Sequence, residues 1–464
     1  MAKKKPTNKP TKKPTPKRPG RPLKPAKSDA AARDDYAKKK VTEAARNRAK
    51  AAKGKEIGSL PPVADPKRRA KALAGFRAFL LTYALHIFGL KFSQAHEDAI
   101  ARFEDILENG GQAALAMPRG WGKTSLMQWA ILYAVLSGKR QFVVYVGAIA
   151  DEAVERLDEI KAELETNDLL AEDFPEVCLP IRALEGIPQR AKGQTLDGNR
   201  TYISWGGTRK IVLPTVAGSL CSGAVIAIRG ILGSMRGMKH TTADRRSIRP
   251  DLVVGDDPQT DTSATNAIQI AKRLKIINGT MLHLVGNKRI AAFVLVTVIA
   301  QDDVADQLLD RDRNPQWRGQ RTQALRKLPT NDAIWNQYAE VYFDGLKAED
   351  NGKAANAFYR KHRKSLEAGA DVVWPDRIKP GDVSALQSIM HIKIETPEVF
   401  WAELQQQPLA LQDATDEQIT KNELVLRIVQ PTREIVPQHT PRLISFIDPN
   451  SKVLWWGVCA FGNG

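Results

Sequence analysis

The segment Ala114–Thr124 reads ALAMPRGWGKT and joins an apolar run to a helical stretch. A phosphate chain is held by a tight loop whose amides converge on its oxygens at a helix N-terminus. Gly120 and Gly122 supply the backbone freedom such a loop needs. Lys123 is placed to reach the β- and γ-phosphates and the Thr124 hydroxyl to bind Mg²⁺, with Ser125 as a further nucleotide contact. The full pattern GxxxxGK[ST] would have glycine where Met117 stands, so the match is to its second half. Arg119 adds a cation to the loop, either a phosphate contact or a solvated arginine. Downstream, DLVVGDDP (residues 251–258) delivers two carboxylates to the end of an apolar run. Asp256 is assigned to the metal and Asp257 to the attacking water; the plainer reading is an acidic turn before Pro258. Thr297, inside AFVLVTVI, is either a γ-phosphate sensor or a threonine suited to a strand.

These groups work together only if the fold brings them to one edge, and the surrounding pattern predicts that it does. Apolar runs Gln112–Met117, Gln141–Val146, Ile211–Leu213, Val225–Ile228, Leu252–Val254 and Ala292–Ile299 alternate with helical stretches Thr124–Leu136, Asp151–Glu165 and Ala264–Ile277. Continuous apolar strands alternating with helices predict an α/β fold, a parallel sheet with helices on both faces. Such a sheet binds ligands at the carboxyl ends of its strands. Ahead of it, Phe76, Phe79, Leu80 and Tyr83 mark one helix, and Ile100, Phe103 and Leu107 a second that follows His96 and stops at Gly110–Gly111. Residues 301–407 read as helical and charged with a break at Val373–Pro375, and strands return at LISFID and VLWWGVCAF.

The chain has 464 residues, 42% of them hydrophobic, enough for two or three domains with their own cores. Its net charge is +18, and residues 1–55 hold 20 Lys or Arg against 4 Asp or Glu, so a nearly neutral body follows a basic tail. Seven prolines and no aromatic residue in the first 27 positions predict disorder there. A tail of this kind either solubilises or attracts a polyanion through counterion release. The apolar stretches around Phe79–Leu90 and Ala291–Ala300 are shorter than the roughly 18 residues of a membrane span, and the Lys/Pro-rich start is not a secretory signal. Cys178, Cys221 and Cys459 lie far apart with no CxxC pair, which argues against a disulfide framework or structural zinc site and suits a reducing cytoplasm, and the seven histidines are scattered without metal-ligand spacing and read as structural. No nucleophile–base set stands out.

Taken in order, several stretches resemble the large terminase subunit of tailed bacteriophages. They are FSQAH (Phe92–His96), the loop Met117–Thr124 as a PRGxGKT variant, IRGILGSMRGMK (Ile228–Lys239) running into RPDLVVGDDP, WPDR (Trp374–Arg377), FWAELQQQPL (Phe400–Leu409) and ISFIDP (Ile444–Pro449). The resemblance covers roughly residues 75–464 and implies a P-loop NTPase core over 61–300, a helical completing region over 301–441, and at 442–464 the first strands of an RNase H-like nuclease, after the tail of residues 1–60. It implies ATP and Mg²⁺ as cofactors and double-stranded DNA as a partner. It further implies a homo-oligomeric ring on the portal, a small terminase subunit, and a location in the host cytoplasm. Asp448 matches the first metal-binding carboxylate of that nuclease. Residues 449–464 hold no Asp or Glu, and two-metal cleavage needs several convergent carboxylates, so the chain as given is expected not to cut DNA. Arg236, or else Arg229, is the candidate for an arginine donated to a neighbouring subunit's nucleotide, against a salt-bridged or DNA-facing role. Phe92 and Gln94 are candidates for adenine contacts, with a core role for Phe92 as the plain reading. Two other functions compete: an unrelated P-loop helicase or translocase, and a DNA-binding remnant without turnover.

Overall fold

The chain, seen here as a computed structural model, is described at residues 39–43, 55–285 and 290–409, and as backbone at 442–449 and 454–461. The tail expected over residues 1–60 therefore lies outside the described residues except at 39–43, which are helical, and 55–60. The chain divides into two units after Glu56.

In the second unit, helices α1 (Pro66–Leu73), α2 (Phe76–Tyr83) and α3 (Gln94–Asn109) precede a seven-stranded sheet. Asp65 caps α1 by accepting from the Arg68 amide, with Pro66 in the first turn where its missing N–H costs nothing. The strands are β1 (Gly111–Ala116), β2 (Phe142–Gly147), β3 (Lys210–Val212), β4 (Val225–Gly230), β5 (Leu252–Asp256), β6 (Ala291–Val296) and β7 (Gln320–Arg321). Their spatial order is β7-β1-β6-β5-β2-β4-β3, with every pair parallel except the edge pair β4–β3. The expected α/β class and mostly parallel sheet are therefore present.

The apolar runs alternate between two cores. Leu115, Val143, Tyr145, Val254 and Phe293 face one, with α3, helix α4 (Lys123–Leu136) and helix α5 (Ala150–Thr166). Ala114, Val144, Val253 and Val294 face the other, with helices α6 (Ala267–Gly279) and α7 (Val304–Leu309). Helix α4 is apolar on nearly every side, and all its residues beyond Ser125 are buried, as an all-round hydrophobic helix must be.

Three expectations are corrected. The helix expected over Ala264–Ile277 is broken at Thr265–Asn266, because Asn266 accepts from the Gln269 amide and starts α6 afresh. Strand β6 ends at Val296, so Thr297 stands one residue past it; the neighbouring β5 already ends at Asp256, opposite Leu295. The stretch after residue 300 is not helical throughout. Besides helices α8 (Asp332–Lys347), α9 (Lys353–Leu366) and α10 (Ala385–Glu395), it supplies β7 to the central sheet and pairs Leu325–Lys327 with Asp371–Val372. Arg442–Pro449 and Leu454–Phe461 form an antiparallel two-stranded sheet in which Asp448 is opposite Trp455. The Asp448 side chain is outside the described residues.

Candidate active site

Because β1, β6, β5 and β2 run parallel, their carboxyl ends share one edge, and four site elements leave from it. The loop 117–122 follows β1, with Gly120 (φ +73°) and Gly122 (φ +76°) both in the left-handed region that favours glycine. Gly122 caps α4, whose first residues are Lys123 and Thr124. The side chain of Lys123 is 6% exposed; its Nζ donates to the Met117 carbonyl at 3.2 Å and lies 3.8 Å from Asp257 Oδ2. Met117 thus serves through its backbone. Ser125, one residue on, lines a cleft of about 350 Å³ with Gln128, Trp129, Arg156 and Glu159.

Asp256 ends β5 and is buried. Tyr145, on the adjacent β2, donates its hydroxyl to Asp256 Oδ2 at 2.9 Å. Burial and the neighbouring Asp257 charge push the Asp256 carboxyl up to about 6, while hydrogen bonds to Thr124 and Tyr145 and the charge of Lys123 oppose the shift. Asp257 has φ +36°, an uncommon conformation for a side-chain-bearing residue, and its amide donates to the Leu295 carbonyl at 3.0 Å. Thr297 donates its hydroxyl to Asp257 Oδ2 at 3.1 Å. Lys123, Thr124, Asp256, Asp257 and Thr297, scattered over 175 residues of sequence, therefore form one connected group.

The group fits Mg²⁺. Asp256 Oδ1 and Asp257 Oδ1 are buried without hydrogen-bond partners, and the Thr124 hydroxyl is beside Asp256. Among the described residues no cluster of three or more metal-binding side chains occurs. A site with one or two carboxylates suits Mg²⁺, which keeps waters and takes its other ligands from substrate phosphates.

Of the remaining expected residues, Arg119 projects into solvent and binds Glu403 with Nη1 2.9 Å from each carboxylate oxygen, while its amide donates to the Glu403 carbonyl at 3.1 Å. Gln94 is exposed and donates to Asp98 at 2.8 Å. Phe92 is buried, stacked on His96 and edge-on to Phe88, which is the core role. The Arg229 guanidinium is spent on the carbonyls of Ile228, Arg209 and Ser234, tying down the turn after β4. Arg236 is exposed and has no ion-pair partner among the described residues. Cys178 and Cys221 are free thiols, and burial pushes them up to about 12 and about 11, which leaves them inert.

Several residues that hold the site were not singled out. Tyr145 could have been noticed as the one polar tip in the strand run FVVYV. Asp303, fully buried, accepts from the amides of Ile299, Ala300 and Asp306 and from Gln259 Nε2, which also donates to the Thr297 carbonyl, fixing the chain just after Thr297. The stretch after Phe400 has a physical role: Glu403 holds the loop, Gln405 pairs both backbone groups of Leu325, and Gln406 accepts from the Val298 amide. His96 accepts the Ser93 amide at Nδ1, which leaves Nε2 to donate to the Trp121 carbonyl at 2.9 Å inside the loop 117–122.

Comparison with solved structures finds similarity to the crystal structure of the HK97 bacteriophage large terminase, at 13% sequence identity and a TM-score of 0.35, over 68% of this chain and 50% of that one. The chain thus spans half the length of that terminase. No family model matches the chain, and no curated protein matches it.

Proposed function

We propose that this chain is an ATP-hydrolysing motor subunit that moves double-stranded DNA, of the large-terminase type. The observation that carries the ATPase reading is the connected group at the carboxyl edge of the sheet: a glycine-hinged loop, Lys123, Thr124, two adjacent acids and Thr297. The terminase reading rests on the order of motifs in the sequence.

In this reading the phosphate chain of ATP enters the loop and draws Lys123 away from Asp257. Thr124 and Asp256 would hold Mg²⁺, which would supply charge neutralisation. Asp257, its second oxygen unpartnered, orients the water and takes its proton. Its hydrogen bond to Thr297 carries the change in charge onward to the segment stapled by Asp303. Ser125 and Gln94 are further nucleotide contacts, Arg119 joins them if it exchanges Glu403 for a phosphate, and Arg236 is the cation available to a neighbouring subunit. A ring on a portal, a small-subunit partner and action in the host cytoplasm are parts of the same proposal. Among the described residues no helix is long and apolar enough to cross a membrane.

The test is phosphate release with and without linear double-stranded DNA. Hydrolysis that DNA stimulates, and that Lys123→Ala and Asp257→Asn both abolish, is the expected result. Hydrolysis that survives both substitutions overturns the site assignment, and hydrolysis indifferent to DNA overturns the motor reading.

A further inference from the structure

Arg377, in the WPDR stretch, lies far along the chain from the phosphate loop but rests against it. A Cβ placed on Gly120 would be 3.0 Å from Arg377 Nη2, so the guanidinium occupies the space that the glycine leaves bare. Its position is built rather than incidental. The guanidinium carbon is 5.5 Å from the centroid of the Trp374 ring. Trp374 is anchored in turn: its indole N–H donates to the Lys91 carbonyl at 2.7 Å, and its ring meets His96 at 4.6 Å and the loop residue Trp121 at 5.3 Å.

The neighbouring cations are spoken for, Arg119 by Glu403 and Lys123 by Asp257. Among the described residues no carboxylate pairs with Arg377. The residue as a whole is exposed, yet the guanidinium is partly desolvated, and that burial lowers its pKa. A cation–π contact by itself is worth only about 0.5–1 kcal/mol at an exposed site. It accounts for the platform but not for a guanidinium aimed at the bare backbone of an anion-binding loop.

We propose that Arg377 is a phosphate-binding residue of the nucleotide site, reaching over Gly120 to the phosphate chain held by the loop. The inference rests on the nucleotide reading above. It makes the segment after residue 370 part of the binding site, so an occupied loop would hold that segment down.

The experiment measures displacement of a fluorescent ADP analogue from the full chain by inorganic tripolyphosphate and by adenosine, in wild type, Arg377→Ala, Arg377→Lys and Lys123→Ala. Loss of a charge-assisted contact is expected to weaken tripolyphosphate roughly 10- to 100-fold in Arg377→Ala. Partial recovery is expected in Arg377→Lys, with adenosine affinity and the nucleotide-free melting temperature unchanged. Wild-type tripolyphosphate affinity in Arg377→Ala overturns the proposal. So does an equal loss for adenosine and tripolyphosphate together with a lowered melting temperature, which would make Arg377 a packing residue. If Lys123→Ala loses tripolyphosphate binding and Arg377→Ala does not, only Arg377 is misassigned. If neither variant changes it, the nucleotide reading itself fails.

Discussion

On the proposed ATPase reading, Asp257→Asn is expected to separate binding from hydrolysis, and the geometry sets the sign of each effect. Without nucleotide, Lys123 is buried and its nearest carboxylate is Asp257, 3.8 Å away. At an effective dielectric of about 20, opposite charges at that distance attract by about 4 kcal/mol. The Asp257 side chain is 41% exposed, so water screens much of this, and a net of about 1 kcal/mol is reasonable. In the proposed reading, ATP must break that attraction when its phosphates take Lys123. Asparagine keeps an oxygen to accept the Thr297 hydroxyl but removes the charge, so the phosphates no longer compete for the lysine. The expected result is ATP affinity about fivefold tighter than wild type. Hydrolysis is expected to fall by roughly 10²–10⁴, the usual contribution of a positioned general base. Equilibrium titration with a fluorescent ATP analogue gives the first quantity and single-turnover phosphate release the second. Weaker binding in Asp257→Asn, or hydrolysis within threefold of wild type, would refute the reasoning.

Three other perturbations follow from the same geometry. Tyr145→Phe removes the donor to Asp256 and leaves a buried carboxylate oxygen with one partner fewer; a loss of about 1.5–3 kcal/mol in unfolding free energy is expected from urea denaturation, and an unchanged midpoint would count against the bond. Gly255→Ala would set a methyl 3.0 Å and 3.1 Å from the two Val294 methyls on the neighbouring strand, costing about 1–3 kcal/mol by the same measurement; a neutral substitution would show that Val294 yields freely. Burial lowers the pKa of His96 below its ordinary 6.5, so the unfolded chain takes up the proton first. The stability that neutral His96 contributes is present above about pH 6.5 and is lost as pH falls below it, with a slope approaching 1.4 kcal/mol per pH unit. His96→Gln should flatten that slope between pH 7.5 and 5.5, and parallel curves for the two proteins would exclude His96 as the group responsible.

The glycine-hinged loop and the acid strand were legible in the sequence for local reasons. A glycine pair ahead of Lys-Thr, between an apolar strand and an apolar helix, favours a tight turn, and VVGDD reads as a buried strand with acids at its end. The parallel sheet followed from the alternation of such strands with helices, and with it the expectation that Lys123, Asp256, Asp257 and Thr297 meet at one edge. Where local signals competed, they misled: Asn266 was a helix cap inside an apolar periodicity, and Gln320–Arg321 was too short and polar to read as a strand until β1 offered it backbone partners. What tertiary structure alone decided is the support of the site. Tyr145 reaches Asp256 across 111 positions, Glu403 reaches Arg119 across 284, and Arg377 reaches Gly120 across 257. Each is an ordinary polar residue in its own neighbourhood. Its role comes from which strands lie side by side and which helices close over the loop, because a hydrogen bond or an ion pair depends on distance in space, and sequence periodicity carries no information about that distance.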